Sequence, residues 1–188
     1  MAEEKLDIKI VNIVVSSSLE HDIPLEKMAA TLSNTEYNPE QFPGLVIRIK
    51  EPKTSALIFS SGKIVCTGAK TLEEVRKCID KIIVSLEKIN VKITVTPVIT
   101  IQNIVASGAV GMDLNLNSLA MKLDNTEYEP EQFPGLVYKV KITKSTDKPF
   151  NATFLLFSNG KIVCTGTKSE AQVHIAVRQL IENLKKVK

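Results

Sequence analysis

The chain of 188 residues is 44% hydrophobic and 24% charged, which suits one or two globular domains with a buried core and excludes a disordered polyelectrolyte. Its net charge of +3 is mildly basic and by itself selects no partner. The start "MAEEKLD" is short and acidic, unlike a signal peptide, and no apolar run approaches the length of a membrane span, so a soluble intracellular protein is expected.

In chain order, the β-branched run "IKIVNIVVS" predicts a strand, and "IPLEKMAATL" places Ile23, Leu25, Met28, Ala29 and Leu32 at helical spacing. Three further strands follow, "LVIRIK", "ALIFS" and "KIVCTG", separated by turn residues. Thr71 and Glu74 then have the spacing of a capping box, ahead of a stripe of Leu72, Val75, Ile79, Ile82, Ile83, Leu86 and Ile89. The same order recurs downstream. Ser169 and Gln172 repeat the cap, and Val173, Ala176, Val177, Leu180, Ile181 and Leu184 repeat the stripe.

The recurrence is an internal duplication. "NTEYNPEQFPGLVIRIK" from Asn34 and "NTEYEPEQFPGLVYKVK" from Asn125 agree at 13 of 17 positions, 91 residues apart. "LIFSSGKIVCTGAK" and "LLFSNGKIVCTGTK" agree at 11 of 14, but 98 residues apart, so the second copy carries a seven-residue insertion. Two long copies argue for a pseudo-twofold pair of halves and against a solenoid. The expected halves are residues 1–93 and 94–188, and the expected fold is α+β: one antiparallel sheet shared by both, with helices on one face. Of the three cysteines, Cys66 and Cys164 are repeat equivalents inside "KIVCTG" and are expected to be buried free thiols, since no His or Cys cluster offers a metal site.

A sheet covered by helices on one side normally shows polar residues on the other. Here, with Val11, Ile13, Val15, Leu45, Ile47, Ile49, Ala56, Ile58, Ile64 and Cys66 toward the helices, the opposite parity carries Asn12, Val14, Val46, Arg48, Lys50, Leu57, Phe59, Lys63, Val65 and Thr67. The second copy gives Asn103, Val105, Leu155, Phe157, Val163 and Thr165, with Lys139, Lys141 and Lys161 toward the edges. Exchanging the two labels on any strand leaves the same outcome: an exposed apolar face with Asn and Thr, without acidic residues and edged by cations. Such a patch marks a binding surface. A protein partner or a membrane accounts for apolar area, but neither accounts for the paired asparagines. The minor groove at A·T pairs does, because it shows only acceptors, to which an Asn amide or Thr hydroxyl donates, whereas guanine adds an unmatched amine.

The doubled "PEQFPGLV", "LIFSSGKIVCTGAK" and "IQNIVA" closely resemble the conserved core of the TATA-box-binding protein family, over about Lys9 to Leu184. The repeated "EYxPEQFPGLV" resembles its archaeal branch. The resemblance implies a saddle-shaped ten-stranded antiparallel sheet with helices on the convex face, whose underside binds and bends TATA-box DNA in the minor groove. This wedge-driven bending is the family's own property and comes from the resemblance alone.

Carried over by motif, Phe42 with Phe59 and Phe133 with Phe157 would be intercalating wedges, on loops stiffened by Pro43 and Pro134, which would add apolar contact to the bases. Asn12, Asn103, Thr67 and Thr165 would donate to bases, over a floor of Val14, Val65, Val105, Val163, Leu57 and Leu155. Arg48, Lys63, Lys70, Lys139, Lys161 and Lys168 would meet phosphates. Glu129, Glu131 and Gln132 would dock transcription factor B, with RNA polymerase recruited in turn; Asn38 stands where the first half would match Glu129. A homodimer of the free protein, burying the apolar face, is a further expectation, as is residence on chromosomal DNA in an archaeal cytoplasm, or in a nucleus if the source is eukaryotic. The competing reading is a module of the same fold that binds proteins and no DNA. Thr143–Thr153 departs from the family pattern and reads as a tolerated exposed insertion. No catalytic site, cofactor, metal or membrane contact is expected: His21 and His174 fall at unrelated positions, and "SSGK" and "SNGK" lack the spacing of a phosphate-binding loop.

Overall fold

The β-branched runs and the two capped apolar stripes become strands and helices in that order. The structure, a computed structural model, describes residues 7–143 and 148–187. Its elements are β1 (Ile8–Ser18), α1 (Leu25–Thr31), β2 (Thr35–Glu36), β3 (Leu45–Ile49), β4 (Thr54–Ile58), β5 (Lys63–Ala69) and α2 (Leu72–Glu87). They recur as β6 (Thr100–Ala109), α3 (Leu116–Lys122), β7 (Thr126–Glu127), β8 (Leu136–Ile142), β9 (Phe150–Leu156), β10 (Lys161–Thr167) and α4 (Glu170–Lys186). Asn12–Gln102 forms one compact unit, and the chain from Asn103 onward, with the start of β1 through Val11, forms the other. Among the described residues no helix is long and apolar enough to cross a membrane.

In the Asn12–Gln102 unit the strands run β2-β3-β4-β5-β1, all antiparallel. Helix α2 starts where Thr71 Oγ1 accepts the Glu74 N–H at 3.1 Å, and the Glu74 carboxylate reaches back to the Lys70 N–H at 2.7 Å. It ends at Glu87, and the turn that follows closes at Asn90, whose positive φ of 61° lets the Val91 N–H return to the Leu86 carbonyl at 3.0 Å. Its stripe of Val75, Cys78, Ile79, Ile82 and Leu86 is buried with Leu45, Ile47, Ala56, Ile58, Ile64 and Cys66 of the strands. Each such Leu or Ile contributes about 1.5–3 kcal/mol relative to exposure.

Two expected core members are exposed. Val11 is 38% exposed, before the register of β1 with β5 begins at Ile13, and Leu72 is 43% exposed on the first turn of α2. Helix α1 is shorter than its apolar spacing suggests: Pro24 precedes it, and Ile23 is instead a buried loop residue whose N–H donates to the Ser60 carbonyl at 2.8 Å.

The other unit repeats the plan as β6-β10-β9-β8-β7, with α4 capped by Ser169 Oγ on the Gln172 N–H at 3.2 Å. The insertion lengthens one hairpin. Strands β8 and β9 have seven residues each where β3 and β4 have five, and the added rungs Lys141↔Asn151 and Ile142↔Phe150 continue the register of Val137↔Leu155 without a slip. Leu155 and Phe157 therefore keep the face that sequence parity gives them. Residues 144–147 of the extension lie outside the described residues.

Neither β5 nor β10 is regular. Between Val15↔Cys66 and Ile13↔Ala69, β5 spends one residue more than β1, and β10 does the same against β6 between Cys164↔Ala106 and Thr167↔Ile104. The extra residue falls at Thr67–Gly68 and at Thr165–Gly166, where the glycines have φ of 95° and 88°.

Candidate nucleic-acid interface

Alternation along each strand places one set of side chains in the core and leaves the other half-buried or exposed. The register aligns the second set into rows. Val46, Leu57 and Val65 pair across β3, β4 and β5, and Val137, Leu155 and Val163 pair across β8, β9 and β10. A neighbouring row joins Arg48, Ser55 and Thr67 in one unit, and Lys139, Thr153 and Thr165 in the other. Each unit thus offers an apolar row beside a row that runs from a cation through two hydroxyls. Ser55, Thr153 and Val137 were missed in the sequence although they share the parity of Leu57, Leu155 and Lys139; Ser55 lies just before the run read as the strand "ALIFS".

At the end of the hydroxyl row the asparagines meet the bulges. Gly68 N–H donates to Asn12 Oδ1 at 2.7 Å, and Asn12 Nδ2 donates to Thr67 Oγ1 at 3.2 Å. In the other unit Gly166 N–H donates to Asn103 Oδ1 at 2.8 Å, and Asn103 Nδ2 donates to Thr165 Oγ1 at 2.9 Å. The bulge breaks the strand ladder, and the asparagine carbonyl satisfies the N–H so released. Val14 and Val105 are half-buried beside them.

The phenylalanines occur as pairs. Phe42 and Phe59 stack edge-on with centroids 5.9 Å apart, and Phe133 and Phe157 do so at 6.0 Å. Phe42 is 43% and Phe133 41% exposed, a large apolar area left open. The loops that carry them are turns closed by the Phe42 N–H on the Asn38 carbonyl and the Phe133 N–H on the Glu129 carbonyl. Pro43 and Pro134 follow, both exposed. Gly44 and Gly135 complete each loop: a Cβ on Gly44 would stand 2.7 Å from Phe42 Cε1, and one on Gly135 would stand 2.6 Å from Phe133 Cε1. Their place in the site was missed in the sequence, although the repeated "FPG" carries the signal.

The cations surround these groups unevenly. Lys63, Lys70, Lys139, Lys161 and Lys168 are exposed, and the Arg48 guanidinium makes a 3.0 Å ion pair with Glu36. That pair corrects the expectation of an acid-free face. Strand β2, too short and polar to register as a strand in the sequence, sets Glu36 opposite Val46, and β7 sets Glu127 opposite Val137, so each outer edge carries a carboxylate. Glu129, Glu131 and Gln132 are exposed on the loop before Phe133.

Comparison with known proteins accounts for this repeated geometry. A family model described as Transcription factor TFIID (or TATA-binding protein, TBP) matches residues 7–89 and again 98–187. The TATA-box-binding protein of Thermococcus celer is 48% identical over 179 residues, 95% of this chain and 91% of that protein. That of Picrophilus torridus is 50% identical over 182 residues, 96% of this chain and 95% of that one. A solved structure, Methanococcus jannaschii TBP, superposes with a TM-score of 0.84 at 45% identity, covering 96% of this chain and 99% of that chain. The α+β, two-repeat fold expected from the sequence is therefore the one found, and the chain belongs to the TATA-binding protein family.

Proposed function

We propose that this protein is a general transcription initiation factor that binds A·T-rich promoter DNA through the minor groove and bends it. The carrying observation is the Asn–Thr donor pair that each repeat sets beside a Val–Leu–Val row and an open phenylalanine pair. Donors meet adenine N3 and thymine O2, the apolar row fills a groove without a guanine amine, and the phenylalanines wedge between base steps as in the family. The names of the similar proteins support the same ligand.

The exposed lysines, and Arg48 once released from Glu36, neutralise phosphates and set register on the duplex. The loop of Glu129, Glu131 and Gln132 takes transcription factor B, which brings RNA polymerase and gives the near-symmetric complex its direction. In the absence of DNA, the open apolar face is buried in a homodimer. The protein works as a binder, not an enzyme, on chromosomal DNA.

The test is fluorescence-anisotropy binding to a TATA-containing duplex and a G·C-substituted control across a salt series, with energy transfer between the duplex ends. The expected result is preference for TATA, a steep salt slope, and an end-to-end shortening that Phe42→Ala with Phe133→Ala abolishes. Equal, weak binding without shortening transfers the function to protein partners.

A further inference from the structure

A primary amide is ambidextrous. An unconstrained asparagine turns its NH2 toward an acceptor or its carbonyl toward a donor by rotating half a turn, so by itself it accepts either an A·T pair or the amine of a G·C pair in the minor groove. Here that rotation is opposed. Asn12 Oδ1 is engaged by the Gly68 N–H at 2.7 Å and Asn103 Oδ1 by the Gly166 N–H at 2.8 Å, while Nδ2 engages Thr67 or Thr165. Turning the amide over would set Nδ2 against the glycine N–H, donor against donor. It would also leave the bulge N–H without its acceptor.

We propose that Gly68 and Gly166 are specificity-determining positioning residues: their bulge N–H groups hold the asparagine amides in the donor-only orientation, and so exclude G·C at the steps those asparagines face. This rests on the minor-groove reading above and deepens it. The second Nδ2 hydrogen of each asparagine is the donor left for a base, and the carbonyl that would accept a guanine amine is turned toward the backbone.

The bulge is what makes the N–H available. In a regular ladder the N–H of position 68 or 166 faces the neighbouring strand, and only the extra residue frees it. Glycine is required there for two reasons. At φ of 95° and 88° a side chain is strained, and a Cβ would stand 3.1 Å from the Lys53 carbonyl oxygen at one site and 2.7 Å from that of Asn151 at the other. The same arrangement is built twice, once in each unit, from residues far apart in sequence.

Two measurements test it. In the free protein, a long-range HNCO spectrum reads coupling across hydrogen bonds, and cross-peaks from Gly68 N to Asn12 Cγ and from Gly166 N to Asn103 Cγ are expected. Their absence overturns the proposal without reference to DNA. The second removes the N–H while adding no side chain, by replacing Gly68 or Gly166 with glycolate through nonsense suppression, which turns the amide into an ester. Affinities are then compared for a TATA duplex and for duplexes with single A·T→G·C changes. The ester proteins are expected to lose about tenfold in discrimination at one step, chiefly by binding the G·C duplex better, whereas a purely structural role would weaken both duplexes together. Discrimination equal to that of the unmodified protein overturns the proposal. An unmodified protein without A·T preference removes the underlying reading, and this one with it, before any variant is made.

Discussion

The Phe42 ring lies over Gly44 so closely that a Cβ there would stand 2.7 Å from its Cε1 and 3.2 Å from Cε1 of Phe59. Gly135 has the same relation to Phe133 and Phe157, at 2.6 and 3.1 Å. Glycine in "FPG" thus sets the height of the ring pair above its strand. Because the obstructing atoms belong to half-exposed rings that can swing, Gly44→Ala should cost no more than about 1 kcal/mol in stability. The displaced ring should nevertheless lower the DNA bend more than the affinity. Energy transfer across a bound duplex, read beside urea unfolding, separates the two; a loss of stability of several kcal/mol with normal bending would show the glycine to be a packing residue only.

Asn12→Asp is isosteric and keeps an oxygen for the Gly68 N–H, so thermal unfolding at neutral pH should change little. What it removes is the donor. Facing adenine N3 or thymine O2, a carboxylate oxygen opposes an acceptor, and affinity for the TATA duplex should fall by about 10- to 100-fold, the equivalent of about 1–3 kcal/mol. Asn103→Asp should do the same in the other repeat. Retention of full affinity in both variants would remove the asparagines from base contact.

Much of this site could be read in the sequence because it follows from period-two alternation. Asn12, Val14, Leu57, Val65 and Thr67 share one parity class with Phe59, and the structure leaves that class out of the core. Both helix caps were legible for a similar reason, since Thr71–Glu74 and Ser169–Gln172 are local. What escaped depends on register. The bulges at Gly68 and Gly166 exist only relative to β1 and β6, β2 and β7 are two-residue strands defined by their partners, and the Phe42–Gly44 contact is a matter of loop geometry. Val11 fits the inward parity and is exposed all the same, because alternation says which way a residue points and not what covers it.

Glu36 holds Arg48 at 3.0 Å with both side chains about two-thirds exposed, at 65% and 68%. A pair so solvated adds little to folding, and Glu36→Gln should change stability by less than about 1 kcal/mol. It should matter more for DNA. With the carboxylate gone, Arg48 no longer has to leave an ion pair to meet a phosphate and a negative charge has left the outer edge, so affinity should rise with little change in the slope of log K against log salt, whereas Arg48→Gln should flatten that slope by about 0.9, one phosphate's worth. Anisotropy titrations between 50 and 200 mM salt, the range over which such slopes are resolved, check this. An unchanged slope in Arg48→Gln would place Arg48 away from the backbone.

The buried thiols differ between the repeats. Cys66 on β5 donates to Cys78 on α2 with the sulfurs 3.2 Å apart, whereas the residue equivalent to Cys78 in the second half is Ala176, leaving Cys164 without a nearby cysteine. The hydrogen bond from Cys66 draws the Cys78 thiol down and pushes Cys66 up, while burial pushes Cys164 up to about 12. Both are fully buried, so a small-molecule disulfide such as oxidised glutathione should join Cys66 to Cys78 only through transient opening of the first repeat. The Cys78 thiolate attacks it, releasing one glutathione thiolate, and Cys66 then displaces the second, its proton passing to solvent. Since the thiolate is the attacking form, the rate should rise with pH. The bridge spans a separation of 12 residues and should stabilise the first repeat by about 3 kcal/mol, as expected for a loop of that size. Peptide mapping under non-reducing conditions and urea unfolding of oxidised and reduced protein provide the check, with Cys78→Ala expected to abolish both the cross-link and the gain. If Cys164 carries mixed disulfide while Cys66 and Cys78 remain free, proximity within the core does not govern the reaction.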